Sequence, residues 1–245
     1  MSARAAEALR ARISQCTQCA DQLPHGPRPI VQFSPASRVL IIGQAPGAKV
    51  HASGVPWDDD SGDRLRGWLG LDKPTFYNPD CLALVPMGLC YPGKASGGDA
   101  PPRPECAALW HDPILAQLRA IRLTLLVGVY AQRHYLPHTR GWTMTERVRR
   151  HSAQSGESAP TLSLPHPAWR SRLWMARNPW FEAETLPHLR AQLAAALDGR
   201  SGPSAGAPGG AQGAVGDTAD TVQRTKSLLP IARPPRPKKT SLPAP

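Results

Sequence analysis

Apolar residues fall along this chain in two rhythms. One is the short all-apolar run of a strand covered on both faces, seen at Val39 to Ile42, with Leu82 to Val85, Leu123 to Val127 and Thr161 to Leu164 as further strand candidates. The other is the three-and-four spacing that puts an apolar stripe on a helix. It holds Ala5, Leu9 and Ile13 near the N-terminus, Leu65, Trp68 and Leu69 in a helix opened by Ser61, and Leu186, Leu189, Leu193 and Leu197 within Pro179 to Leu197. Glu105 to Ile121 and Val129 to Tyr135 read as further helices between strands, and Thr143 with Glu146 has the spacing of a capping box. Strands alternating with helices predict a three-layer α/β/α fold with a mostly parallel central sheet of about four strands, and residues 1–197 suffice for one core.

After Leu197 the composition changes. Residues 198–245 are rich in Gly, Ala, Ser and Pro and end in a basic stretch that includes Arg233, Arg236, Lys238 and Lys239. Such a segment cannot bury enough apolar surface to offset its chain entropy, so a disordered tail is expected. Its basic end has two readings, a phosphate contact or a solvated charge run. The whole chain carries a formal charge of +11, which suits an acidic partner such as nucleic acid. With no run of eighteen apolar residues and no signal-peptide pattern, a membrane role is not expected. Five cysteines without the density of a disulfide scaffold point to a reducing, cytoplasmic compartment. Nothing in the pattern calls for an obligate protein partner, so a monomer is expected.

The cysteines are unevenly placed. Cys16 and Cys19 form a C-x-x-C, and Cys90 and Cys106 stand sixteen apart around a Gly/Pro-rich loop. Four thiolates in two groups can close a tetrahedral site, and their softness restricts the occupant to zinc or an iron–sulfur cluster. Spacing alone does not choose between them. Cys81 precedes an apolar run and reads as a core thiol.

Two loops carry the candidate chemistry. Gly43-Gln44-Ala45-Pro46-Gly47 follows the first strand directly, and Leu164-Pro165-His166-Pro167-Ala168-Trp169-Arg170 follows the last. Loops at the carboxyl ends of strands in an open α/β sheet converge on one crevice, so the backbone amides of the first and the imidazole of the second can share a site. Together these motifs resemble the uracil-DNA glycosylase superfamily. They are most similar to its bacterial iron–sulfur branch, whose first motif is G-E-A-P-G and whose second begins H-P-S.

The resemblance implies a DNA glycosylase that hydrolyses the N-glycosidic bond of uracil or a related damaged base in DNA, as in base excision repair. It implies a [4Fe–4S] cluster on Cys16, Cys19, Cys90 and Cys106, with zinc as the alternative. A flipped base must be held in a pocket while its leaving anion is stabilised. His166 matches the catalytic histidine of the second motif, Gly43, Gln44 and Ala45 would approach the base, and Pro167 and Arg170 would lie against the DNA backbone. Gly54-Val55-Pro56-Trp57 resembles the family's G-x-P-F, so Trp57 would stack on the base; its other reading is a core tryptophan.

The departures are as specific. Gln44 stands where the iron–sulfur branch has glutamate, Ala45 where another branch has aspartate, and Ala168 where serine is usual. Asp58 and Asp59 would then supply a replacement acid, or the run Asp58-Asp59-Asp60 serves the N-terminus of the next helix. Pro86 stands where the recognition asparagine is expected, so either Tyr91 or Asn78 reads the base or the substrate differs. A homologue that binds damaged or single-stranded DNA without cleaving it is the competing expectation.

Overall fold

The four expected strands pair into one parallel sheet. A computed structural model of the chain describes residues 3–151 and 160–198; residues 199–245, where the tail is expected, lie outside the described residues. The strands in chain order are β1 (Val39–Ile42), β2 (Leu82–Leu84), β3 (Lys94–Ala95), β4 (Gly98–Asp99), β5 (Leu123–Val127) and β6 (Thr161–Leu164). The sheet runs β2-β1-β5-β6, with Val39 opposite both Leu82 and Leu123 and Thr124 opposite Thr161. β3 and β4 form a separate antiparallel hairpin, which carries no buried side chain and is invisible to hydrophobic patterning.

Alternation along the strands divides the core in two. Val39, Ile41, Leu84, Leu125 and Leu164 face a layer built on helix Asp60–Leu69 and residues 181–198. Leu40, Ile42, Ala83, Val85 and Leu126 face the opposite layer, with helix Ala3–Ser14, residues 104–117 and helix Val129–Tyr135. This is the expected α/β/α sandwich. The first helix buries Ala6 rather than Ala5, together with Leu9 and Ile13. The stretch expected to run to Ile121 stops at Gln117, after a π turn over Ala107–His111. Thr143 and Glu146 form the capping box: Glu146 N–H donates to Thr143 Oγ1 at 3.2 Å and Thr143 N–H to Glu146 Oε2 at 2.7 Å.

The chain passes from β1 outward to β2, then returns across β1 to β5. That reversal opens a crevice at the carboxyl ends of the central strands. Gln132, fully buried, ties two of those ends together by donating from Nε2 to the carbonyl of Leu164 at 2.8 Å and of Leu126 at 3.3 Å.

Candidate active site

The loop after β1 is fixed by the segment that follows β2. Met87 and Gly88 donate their amides to the carbonyls of Gly43 and Gln44, each at 3.0 Å. A trans peptide points its N–H opposite to its C=O, so the amides of Gln44 and Ala45 are directed away from that segment. Gly43 is required by Trp57, because a β-carbon at 43 would stand 2.7 Å from Cζ2 of the indole. Gly47 is bordered by two carboxylates: a β-carbon there would stand 3.3 Å from Oδ2 of Asp99 and 3.7 Å from Oδ2 of Asp59.

Trp57 has φ of +57°, the one non-glycine residue in the left-handed region among the described residues. A bulky side chain adopts this conformation only when its surroundings enforce it. Here the Trp57 carbonyl accepts from the Arg66 guanidinium and the Tyr77 hydroxyl, each at 3.3 Å. Arg66 is 5% exposed and also pairs with Asp63 and with the Tyr77 hydroxyl. The indole both packs against the sheet core and lines the cavity described below.

The loop after β6 delivers His166, half-buried, with its ring centroid 6.0 Å from that of Trp57 and the two planes inclined at 34°. Gly128, at the end of β5 with φ of +85°, backs the histidine; a β-carbon there would touch His166 Cβ at 3.4 Å. Ser171 Oγ donates to the His166 carbonyl and Arg64 Nη1 to the Pro167 carbonyl, which pins the loop from both sides. Burial lowers the His166 pKa below the ordinary histidine value, against the opposing charges of Asp59 and Asp99. The imidazole is therefore neutral at pH 7.

These loops enclose a cavity of about 470 Å³, lined by Gly43, Gln44, Ala45, Trp57 and His166 together with Asp59 and Asp99. Of the residues expected here from sequence, the structure brings these first five and Asp59 together. Arg170 reaches the cavity as well, its guanidinium 5.4 Å from the Trp169 ring centroid. Pro167 does not line it. Asp58 stands away from the cavity, on the side of Tyr77, where burial and the Asp58 charge both raise the Tyr77 pKa. Tyr91 is also elsewhere: it is 2% exposed and stacks on His25 with ring centroids 5.2 Å apart. Asn78 is spent on a turn, accepting from Asp80 N–H at 2.9 Å. Pro86 does line the cavity, and neither Tyr91 nor Asn78 reaches in to replace the amide that proline lacks.

The aspartate run divides its work. Asp59 Oδ1 accepts from Gly62 N–H at 2.8 Å and caps helix Asp60–Leu69, while Asp60 turns outward to Lys49 at 2.9 Å. The helix-terminus reading therefore describes Asp59, although its second oxygen faces Gly47. Sequence reasoning missed three cavity residues: Lys94 and Asp99 on the hairpin, and Trp169, 71% exposed at the rim. An aromatic two residues after the His166-Pro167 pair was the available signal for Trp169; a two-residue strand gave none for Asp99.

The four cysteines of the two pairs share a second neighbourhood. Cys19, Cys90 and Cys106 are buried, and the Trp110 indole donates to Cys16 Sγ at 3.4 Å. Burial pushes the Cys90 thiol up to about 12, and the charges of Cys106, Cys16 and Cys19 add to the rise. Cys106 is pushed up to about 11 by burial, with Cys19 and Cys16 again contributing. Among the described residues, no group of three or more His, Cys, Asp or Glu side chains has the arrangement of a metal-ion site. Cys81 lies apart, packed against the core.

An open parallel sheet whose strand-end loops close an aromatic plate, a neutral histidine and backbone amides around one cavity defines an α/β protein with a pocket for a flat ligand. Residues 30–190, about two thirds of the chain, match the model of the uracil DNA glycosylase superfamily, and the chain belongs to that superfamily. The family acts on DNA, and membership carries a uracil-DNA-glycosylase-like function in general. No helix among the described residues is long and apolar enough to cross a membrane.

Proposed function

We propose that this protein hydrolyses the N-glycosidic bond of uracil or a related damaged base in DNA. The observation that carries the proposal is the facing of Trp57 and His166 across one cavity, ring centroids 6.0 Å apart. An extruded base stacks on the indole, a contact worth about 1 to 3 kcal/mol and tolerant of base identity. The amides of Gln44 and Ala45 donate to its oxygens. As the C1′–N bond breaks, the base carries away the electron pair, and the neutral His166 imidazole donates a hydrogen bond to that developing anion. One preorganised donor of this kind contributes about 3 to 4 kcal/mol. Trp169 and Arg170, at the rim, meet the strand from which the base has left, the aromatic by wedging or stacking and the guanidinium at a phosphate.

Cys16, Cys19, Cys90 and Cys106 would hold a [4Fe–4S] cluster, which would stabilise the four thiolates and tie the N-terminal helix to the segments flanking the hairpin. What supports this reading is that Cys16, Cys19, Cys90 and Cys106 lie close enough for their charges to act on one another, and buried thiols of this kind need a compensating cation to ionise. Free thiols suit a reducing, cytoplasmic setting.

Lacking the amide at Pro86, the pocket reads the base edge with fewer side chains, so related bases are accepted alongside uracil. The test is single-turnover base release from oligonucleotides carrying uracil, hypoxanthine, xanthine or a thymine mismatch. Release from at least one supports the enzyme; tight binding without release from any assigns the chain to the non-catalytic reading.

A further inference from the structure

The first loop holds no carboxylate, Gln44 and Ala45 occupying both positions where one would stand, yet the cavity contains two. Both come from outside that loop and converge on Gly47. Asp59 Oδ2 and Asp99 Oδ2 lie 3.7 and 3.3 Å from the place a Gly47 β-carbon would take. Each is close enough for its charge to act on His166. The two differ in what else they do. Asp59 spends Oδ1 on the cap of helix Asp60–Leu69, so its carboxylate is explained by folding. Asp99 sits on β4 of the hairpin, where its one ion pair is with Lys94 Nζ at 3.2 Å, and an exposed pair of this kind contributes little to stability.

The hairpin is held over the cavity by other means. Its two strands pair Lys94 with Asp99, the Ala100 amide donates to the Gly93 carbonyl at 2.8 Å, and Gly93, with φ of +88°, lies against Pro24. A carboxylate brought into a pocket by a scaffold that does not need it for folding is a functional placement.

We propose that Asp99 is the catalytic acid–base residue of this site, replacing the acid missing from the first loop and standing beside it at Gly47. The proposal rests on the glycosidic-bond reading above. Asp99 accepts a hydrogen bond from the attacking water and orients its oxygen toward C1′. The water oxygen forms a bond to C1′, the C1′–N bond breaks with its electron pair passing to the base, and the water's proton passes to the Asp99 carboxylate. The base anion, held by His166, takes a proton from solvent on release.

Single-turnover base release from a uracil oligonucleotide, with wild type, Asp99→Asn, Asp99→Glu, Asp59→Asn and Asp60→Asn, tests the assignment. Removing a general base slows a reaction by roughly 10² to 10⁴. Asp99→Asn is expected to lose at least 100-fold in rate while binding the oligonucleotide as tightly as wild type or tighter. Asp99→Glu should recover much of the loss, Asp59→Asn should lose less than about tenfold, and Asp60→Asn should match wild type. Wild type that releases base with Asp99→Asn within threefold of it overturns Asp99 and leaves the glycosylase reading standing. A wild type that binds but never releases base overturns both. Should Asp99→Asn fail to fold, Asp99→Glu with the rate of wild type supports the acid, and Asp99→Glu without activity in a folded protein opposes it.

Discussion

Trp57 lies on Gly43 so closely that no side chain fits between them: a β-carbon at 43 would be 2.7 Å from Cζ2 of the indole. The glycine of the first loop thus serves the aromatic plate as much as the ligand. Gly43→Ala forces the ring to move, and because the Trp57 backbone is clamped by Arg66 and Tyr77 the ring has little freedom to do so. Base release by Gly43→Ala should fall about 10-fold or more, the scale of one lost stacking contact, with the fold kept by circular dichroism. A variant as active as wild type would show that the plate is not needed where it stands.

The left-handed φ of Trp57 makes a second, independent prediction. At most positions Ala is more stabilising than Gly, but at φ near +57° the β-carbon is strained and Gly is not. Trp57→Gly should therefore be more stable than Trp57→Ala by about 1 kcal/mol. Thermal unfolding of the two variants decides it, and the reverse order would contradict the strained backbone.

Cysteine replacement tests the cluster without reference to activity. Protein purified without oxygen should be brown, with iron and sulfide at four each per chain as a [4Fe–4S] centre requires, and Cys90→Ser or Cys106→Ser should lose both colour and iron. Colourless protein containing one zinc per chain would replace the cluster with the simpler ion.

His111 predicts how stability depends on pH. Its Nε2 meets the Pro86 carbonyl at 3.0 Å, which can only accept, so Nε2 carries the proton and Nδ1 accepts from the Tyr135 hydroxyl at 2.5 Å. Burial lowers its pKa to about 4 from 6.5, opposed by the Pro86 carbonyl, deepened by His134 and opposed by Asp112. The folded pKa lies below the unfolded one, so as pH falls through about 6.5 the unfolded chain binds a proton that the folded chain refuses. Stability is full above that pH and declines toward pH 4, by up to about 3 kcal/mol. The decline should be visibly shallower in His111→Gln by urea unfolding at a series of pH values. Equal slopes would place the acid sensitivity elsewhere.

The sheet was legible because Val39–Ile42 is an all-apolar run of the kind a doubly covered parallel strand presents and the other candidates alternate with helical stretches, and β1, β5 and β6 begin and end where the pattern puts them. His166 and the Gly43–Gly47 loop were legible because they follow strand ends, and Trp57 because Gly54-Val55-Pro56-Trp57 resembles the family's G-x-P-F. What sequence hid was decided by tertiary contact. Tyr91 carries the chemistry of a base reader but turns inward to stack on His25, and nothing local distinguishes those fates. Asp59 and Asp58 are neighbours of one type, separated only by which of them the helix start orients toward Gly62. Asp99 sits in a glycine-rich two-residue strand with no buried face, so no periodicity could place it beside Gly47.

The most direct test of the account is the single-turnover rate of uracil release by wild type and His166→Ala at equal DNA occupancy. Removing one preorganised donor should cost roughly 10² to 10³ in rate with binding nearly unchanged. Because burial lowers the His166 pKa, the wild-type rate should also hold as pH falls through 6.5 rather than drop there. A His166→Ala rate within a few fold of wild type would contradict leaving-group stabilisation by His166 and with it the chemistry assigned to this pocket.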